Sequence, residues 1–243
     1  AGKHLHYRLT VDPEARFTGY GARPMDMGVP EWTERYFGEI THLDAAVGRL
    51  LDRLDELGLR DSTLVVFTSD HGDMAGCHGR FEKAVSYEGA SRIPLLVRLA
   101  GSGRVGTCDT LFSSVDFLPT LLGLCGLPPA ASAEGMNYAP LIRGEPEAEE
   151  REALVMSCRD WACIRHGPWK LTLSADGEEV RTLFRMDTDP HEQVNRTRDP
   201  ADRRTVATLR ETYLEGMEDV ITRTGNPEAT SQPSPALQDS AGA

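Results

Sequence analysis

The chain has 243 residues, of which 40% are hydrophobic and 26% are charged, and this composition is typical of a globular protein rather than a disordered one. Its formal net charge of −12 disfavours nucleic acid and anionic membranes as partners, so local cations must hold any anionic substrate. No apolar run approaches the roughly 20 residues of a membrane span.

The first elements of the chain form an irregular segment, a helix and a strand. Glycine and proline interrupt any helical or strand periodicity in residues 1–31. The segment contains no apolar signal-peptide core, and the localisation is left open. Apolar residues recur at helical spacing over 33–57 and predict an amphipathic helix that ends at Gly58. Residues 64–69 are mostly apolar and β-favouring, and they contain neither glycine nor proline. They predict a strand that is buried on both faces of a parallel sheet.

Chemically active residues follow this strand directly. Asp70 and His71 are a carboxylate and an imidazole at the carboxyl end of the strand, where α/β sheets bind ligands, and both are metal donors. Thirteen residues after Asp70, beyond three glycines, Lys83 is predicted to return to the metal site and to bind an oxyanion. His78 is a candidate to donate to the same anion or to act as an acid. The alternative interpretation is a helix cap, a turn histidine and two solvated surface side chains.

The second half of the chain changes character. Residues 93–99 predict another strand, 117–124 predict a short helix, and 130–152 form an acidic loop. Four short strands then predict an antiparallel meander: 153–157, 161–166, 169–173 and 180–184. A last helix follows Asp199, and the residues from 225 onward predict a disordered tail. We therefore expect a first domain at 1–148, a subdomain at 149–224 and a tail at 225–243.

Two other groups of residues favour plain structural interpretations. The five cysteines are odd in number and lack paired spacing, which predicts buried free thiols rather than a disulfide framework. Four residues resemble a metal cluster but are predicted to form a turn that packs the meander against the last helix: Asp187, Asp189, His191 and Glu192.

Several motifs, taken in order, resemble the second half of a sulfatase of the alkaline-phosphatase superfamily. They are Ser69-Asp70-His71-Gly72-Asp73, Gly76-x-His78-Gly79, Lys83, Tyr87-Glu88, Arg92-Ile93-Pro94-Leu95-Leu96-Val97, and Leu183-Phe184-x-Met186-Asp187-x-Asp189-Pro190-x-Glu192-x-x-Asn195. The resemblance runs from about Trp32 to Leu214. It implies an α/β fold: part of an alkaline-phosphatase-like sheet with flanking helices, followed by a small antiparallel α+β subdomain.

The resemblance also implies a chemistry, the metal-assisted hydrolysis of a small-molecule or glycan sulfate ester. In that family a divalent ion, usually calcium, is held by residues matching Asp70 and His71 together with two aspartates from an earlier strand. The nucleophile is a formylglycine, and Lys83 matches the lysine that contacts the sulfate. A histidine beside calcium is unusual, so manganese and zinc remain alternatives.

One departure from the family pattern concerns the nucleophile. No cysteine or serine of the chain begins the Cys/Ser-x-Pro/Ala-x-Arg motif from which formylglycine is made, and the early aspartate pair is absent. The chain thus resembles the C-terminal portion of such an enzyme, and the N-terminal remainder of the catalytic domain is its expected partner. Two alternatives stay open: a phosphonate monoester or phosphodiester hydrolase, and an inactive fragment with a structural or binding role. The oligomeric state is not predicted.

Overall fold

The computed structural model describes residues 29–145, 149–158 and 160–224, and the side-chain surroundings of 29–30 and 217–224 fall outside that description. The tail predicted from residue 225 onward and nearly all of the irregular segment predicted at 1–31 therefore lie outside the described residues. Backbone contacts divide the chain into a first unit, 1–107, and a second unit, 108–243. Each unit is described by itself.

The first unit combines two helices with a two-stranded sheet. Its elements are α1 (Val29–Glu56), β1 (Val65–Thr68), α2 (Glu88–Ser91) and β2 (Leu95–Arg98). The predicted long helix is confirmed as α1, and Gly58 follows it with a positive φ of 66°, as expected of a glycine that ends a helix. The aromatic ring of Trp32 on α1 packs edge-on against Phe81 at 5.2 Å between centroids. This contact joins the start of α1 to the loop that follows β1.

The prediction of a parallel strand buried on both faces is wrong for β1 within the described residues. There β1 pairs with β2 in antiparallel register, from Val65 opposite Arg98 to Thr68 opposite Leu95. Phe67 and Leu96, which face each other across this pair, are 38% and 59% exposed. An apolar run indicates how much burial a strand favours, but it encodes neither the direction of its neighbour nor the layers that cover it.

Large apolar side chains are exposed on two elements of the first unit. Five members of the apolar stripe predicted over residues 33–57 are largely exposed: Phe37, Ile40, Leu43, Leu50 and Leu57. On the sheet, Phe67 and Leu96 are exposed as well. Large exposed apolar patches of this kind mark surfaces that another segment or partner covers.

The second unit contains the predicted meander and its helices. The elements are α3 (Phe117–Leu124), α4 (Ala139–Arg143), β3 (Ala153–Cys158), β4 (Trp161–His166), β5 (Trp169–Ser174), β6 (Val180–Arg185) and α5 (Arg203–Thr224). The four strands are neighbours in sequence order and pair antiparallel throughout, which confirms the predicted meander. The predicted helix at 117–124 is confirmed as α3.

The core of the second unit lies between the meander and α5. Ile164, Leu171 and Leu183 are opposite one another on three adjacent strands and are fully buried. Leu209 and Tyr213 of α5 pack against them. The alternation of side chains along each strand places these residues on one face, and the helical period of α5 supplies the matching stripe.

The five cysteines are all free thiols, but their burial differs from the prediction. Cys163 on β4 is buried, whereas Cys108 and Cys125 are exposed. The expectation of buried thiols thus holds fully for Cys163 and is wrong for the two exposed residues, because loop positions such as 108 carry no strand or helix face that would enclose them.

None of the helices in the described ranges combines the length and the apolar composition that a membrane crossing requires.

Candidate functional site

The candidate site begins at the turn that ends β1. The Nδ1 atom of His71 lies 2.8 Å from the carbonyl oxygen of Gly72, and because a carbonyl can only accept, Nδ1 carries the proton. Nε2 is therefore the ring nitrogen left to bind a metal ion, and it lies 3.6 Å from Oδ2 of Asp70. When two ligand atoms each lie about 2.0–2.6 Å from one divalent cation, the distance between the two ligand atoms is close to the separation seen here. These two atoms fit one shared ion.

The electrostatics of Asp70 suit a metal ligand. Its pKa is lowered mainly by the hydrogen bond that Oδ1 accepts from the backbone N–H of His71, 3.0 Å long, and then by the charge of the His71 ring. Desolvation opposes this shift, and the charge of Lys83 adds to it. The Asp70 side chain is 85% exposed, so its carboxylate is ionised at neutral pH and open to a ligand.

Gly72 attaches the turn to α2. Its N–H donates to the carbonyl of Ala90 at 2.9 Å, and a Cβ added at position 72 would overlap the carbonyl oxygen of Gly89. Only glycine permits this approach of two backbones. The position of Asp70 and His71 is consequently set by α2 as well as by β1.

The glycine-bearing loop that follows closes on itself. The N–H of Met74 donates to the carbonyl of Glu82 at 2.8 Å, and inside this pair the N–H of Gly76 donates to the carbonyl of Arg80, also at 2.8 Å. Met74 is buried and anchors the base of the loop. Lys83 directly follows Glu82, so loop closure returns its backbone to the segment three residues beyond His71. The charge of Lys83 contributes to the lowered pKa of Asp70 from this position.

The closed loop depends on an unusual backbone. The left-handed region is adopted by four residues that are not glycine, with positive φ at Ala75, His78, Glu82 and Ala84. Such conformations are disfavoured for side chains with a Cβ, and they persist only where surrounding contacts impose them. Three of the four, Ala75, His78 and Glu82, lie within the segment that the hydrogen bond from Met74 to Glu82 closes.

His78 lies at the far end of this loop and is exposed. Its imidazole stacks on the ring of Tyr87, with 4.1 Å between centroids and 18° between planes. No role for Tyr87 was predicted from the sequence, although the residue belongs to the Tyr-Glu motif on which the resemblance partly rests. A stacking partner nine residues away in a loop leaves no periodic signal in a sequence.

The structure thus brings Asp70 and His71 together and closes the loop beside them. Within the described ranges, no group of three or more His, Cys, Asp or Glu side chains is arranged to hold a metal. Among those residues, the Asp70–His71 pair offers two side chains that could bind a metal ion. The proposed roles of the four site residues stay predictions.

The second apparent metal cluster is a turn, as predicted. The Asp189 carboxylate accepts the backbone N–H groups of Gln193 at 3.0 Å and Val194 at 2.9 Å. Glu192 instead forms a buried ion pair with Lys170, with Nζ 2.9 Å from Oε1. Both carboxylates therefore have structural partners in this turn. Lys170 was not predicted as one of these partners because it lies within a strand whose other residues are uncharged.

Comparisons with known proteins identify the family of this chain. A family model described as "Sulfatase" matches residues 4–127, and one described as "N-sulphoglucosamine sulphohydrolase, C-terminal" matches residues 76–219. The choline-sulfatase of Rhizobium meliloti is 35% identical over 186 residues, which cover 72% of this chain and 36% of that protein. The chain spans less than two fifths of the length of the curated relatives it matches.

Solved structures extend the similarity to the fold. A 2-O GAG sulfatase superposes with a TM-score of 0.67 at 25% identity, over 84% of this chain and 46% of that one. The phosphonate monoester hydrolase of Agrobacterium radiobacter superposes with a TM-score of 0.62 at 26% identity, over 77% and 40% respectively. The fold is that of the alkaline-phosphatase-like α/β class, and this chain belongs to the sulfatase family.

Proposed function

We propose that this chain is the C-terminal portion of a sulfate-ester hydrolase and supplies half of its metal site. The observation that carries the proposal is the pair formed by Asp70 Oδ2 and His71 Nε2, 3.6 Å apart at the end of β1. The closed loop supports it, because the hydrogen bond from Met74 to Glu82 brings the backbone next to Lys83 back to the segment three residues beyond His71. The overall reaction converts a sulfate ester and water into an alcohol and hydrogen sulfate.

Each side chain has a distinct task in this proposal. Asp70 and His71 bind a divalent cation, for which calcium is our first candidate; the imidazole nitrogen keeps manganese and zinc as alternatives. When bound, the cation polarises the sulfate oxygens and stabilises developing negative charge. Lys83 binds the sulfate as a fixed positive charge and stabilises the charge that develops on the leaving oxygen. His78 donates a hydrogen bond to the same anion or protonates the departing alcohol.

The nucleophile and the other metal ligands come, in this proposal, from the N-terminal remainder of the catalytic domain. Two features of the first unit support such a partner. The stripe of α1 and the Phe67–Leu96 face are apolar and exposed. On β2, the Nε and Nη2 atoms of Arg98 are buried and have no hydrogen-bond partner within the described residues. Buried guanidinium donors require an acceptor, which an incoming segment supplies.

The domain boundaries at 148/149 and 224/225 are kept as part of the proposal. The second unit spans both, and the ion pair between Asp116 and Arg151 crosses the first of them. A boundary in sequence at 148/149 is therefore compatible with tight packing across it.

The substrate class in this proposal is a small-molecule or glycan sulfate ester, in line with the names of the relatives. The phosphonate monoester hydrolase of similar fold supports one alternative, a phosphonate monoester or phosphodiester hydrolase of the same superfamily. The curated relative named above is a choline-sulfatase, which favours the sulfate ester. A further alternative is an inactive piece with a structural or binding role.

The test compares two proteins on two substrates. The chain joined to its N-terminal remainder is assayed with an aryl sulfate and an aryl phosphonate in calcium, and the chain alone is the control. We expect sulfate turnover by the joined protein and none by the chain alone. Preference for the phosphonate would favour the alternative hydrolase, and turnover by the chain alone would show that the nucleophile lies within it.

A further inference from the structure

The stacked pair of His78 and Tyr87 joins an exposed side chain of the loop to a residue at the start of α2. His78 is exposed, has a positive φ of 54°, and lies between Gly76 and Gly79, which both have positive φ as well. The loop's hydrogen bonds hold the backbone around His78, but they do not by themselves fix the direction of the exposed imidazole. The ring plane is set by the 4.1 Å stack on Tyr87.

Tyr87 itself is rigidly attached to α2. Its carbonyl oxygen accepts hydrogen bonds from the N–H of Ala90 and the N–H of Ser91, both at 2.9 Å. The single proton of the Ser91 hydroxyl is shared between the carbonyl of Ser86 at 2.9 Å and that of Tyr87 at 3.1 Å. The backbone of Tyr87 is thus held at the start of α2 by two backbone hydrogen bonds and this shared one.

The same short helix contacts the metal-binding turn. The N–H of Gly72 donates to the carbonyl of Ala90, and the backbones of Gly72 and Gly89 are in close contact. A single rigid element therefore carries the ring beneath His78 at one end and contacts the Asp70–His71–Gly72 turn at the other. The position of His78 relative to Asp70 and His71 therefore depends on α2 as well as on the loop.

We propose that Tyr87 is a positioning residue, which orients the imidazole of His78 toward the anion bound at Asp70, His71 and Lys83. This inference rests on the function proposed above. Stacking fixes the plane of the imidazole and leaves both ring nitrogens at its edge, where one can donate to a sulfate oxygen or to the leaving oxygen. The phenyl ring of Tyr87 is the part that acts, so phenylalanine is expected to replace it.

The first test is a double-mutant cycle in the chain joined to its N-terminal remainder. Tyr87→Leu is expected to lower kcat about three- to tenfold, the range for loss of one aromatic stack, whereas Tyr87→Phe stays within about twofold of the wild type. Once His78→Gln is present, Tyr87→Leu is expected to have no further effect. Tyr36→Leu is the matched control, because it removes a ring stacked on Trp32 in the same unit, and it is expected to leave kcat unchanged.

Additive losses in the cycle, or equal losses from Tyr87→Phe and Tyr87→Leu, would overturn the inference. A joined protein that turns over neither ester would refute the proposed function together with the role of His78. An active protein whose kcat is insensitive to Tyr87→Leu would refute this inference alone.

The second test needs no activity and uses this chain by itself. In the NMR spectrum the ring protons of His78 are expected to be shifted upfield by the ring current of Tyr87. The shift should persist in Tyr87→Phe and vanish in Tyr87→Leu. Ring protons at random-coil positions in the wild type would show that the stack does not hold His78.

Discussion

Asp116 and Arg151 form a bidentate ion pair, with Arg151 Nη1 2.7 Å from Oδ2 and Nη2 2.8 Å from Oδ1 of the aspartate. The carboxylate is fully buried and also accepts the backbone N–H groups of Ser113 at 2.7 Å and Met136 at 2.8 Å. It thereby ties together the start of α3, the segment before α4 and the segment that leads into the meander.

Replacing Arg151 should strongly destabilise the second unit. Arg151→Met leaves the buried Asp116 carboxylate without its counter-charge, which typically costs about 3–5 kcal/mol. Urea unfolding followed by tryptophan fluorescence measures this loss. Arg181→Met is the control, because its partner Asp160 is exposed, and it should cost less than about 1 kcal/mol. Similar losses in both variants would contradict the assigned importance of the Asp116 pair.

Removing one partner of the Lys170–Glu192 pair should also destabilise the second unit, and here the control removes both partners. Lys170→Met strands a buried carboxylate and should cost about 3–5 kcal/mol, whereas Lys170→Met combined with Glu192→Leu should recover most of that loss. The comparison of the free energies of unfolding isolates the unpaired charge. A double variant as unstable as the single one would show that packing, and not charge, determines the loss.

Gly72→Ala should disrupt the turn that holds Asp70 and His71, the proposed metal ligands. The added Cβ overlaps the carbonyl oxygen of Gly89, so the backbone must shift, at a typical cost of about 1–3 kcal/mol. Calcium binding measured by calorimetry, in the chain joined to its N-terminal remainder, should weaken in parallel. Gly48→Ala is the control, because nothing lies within 4 Å of its position in α1; helix propensity makes it neutral or stabilising by up to about 1 kcal/mol.

Lys83→Ala should lower activity without unfolding the protein. Loss of a fixed cation beside the anion is expected to reduce kcat by about 10²–10³-fold in the joined protein, while the exposed position leaves stability nearly unchanged. Arg80→Ala, an exposed cation in the same loop, should change kcat far less. An unchanged rate in Lys83→Ala would remove this residue from the site.

Alkaline pH should destabilise the second unit through Tyr213. Burial raises the pKa of its phenol, with a smaller contribution from the charge of Asp176, and its hydroxyl donates to the carbonyl of Ala175 at 2.9 Å. The folded state therefore keeps this proton above pH 10, where the unfolded chain loses it. Stability should fall as the pH rises from about 10 through the raised pKa of the folded state.

Tyr213→Phe tests the source of that alkaline loss. Below pH 9 the variant should lose about 1 kcal/mol, the typical value of one hydrogen bond. Above pH 10 its stability should depend less on pH than that of the wild type. Burial also raises the pKa of Tyr138. The stability of Tyr213→Phe should therefore still fall somewhat at alkaline pH, until Tyr138→Phe is added. Identical alkaline slopes in wild type and Tyr213→Phe would exclude Tyr213 as a cause.

Local patterns in the sequence were sufficient for much of this protein. The period of α1, the alternation along the four strands of the meander and the order of the motifs around Asp70 and His71 each depend on neighbours within a few residues. The same short-range information predicted the turn at Asp189. The family follows from these motifs because their order and spacing are specific even though each one is short.

Tertiary structure decided what depends on residues far apart in the chain. It paired β1 antiparallel with β2, left the Phe67–Leu96 face exposed, placed Tyr87 beneath His78 and buried Asp116 against Arg151. None of these contacts follows a helical or strand period, because each depends on how loops close and on which layers cover a surface. Hydrophobic periodicity predicts which face of a helix or strand favours burial. Only the tertiary structure determines which residues pack against that face.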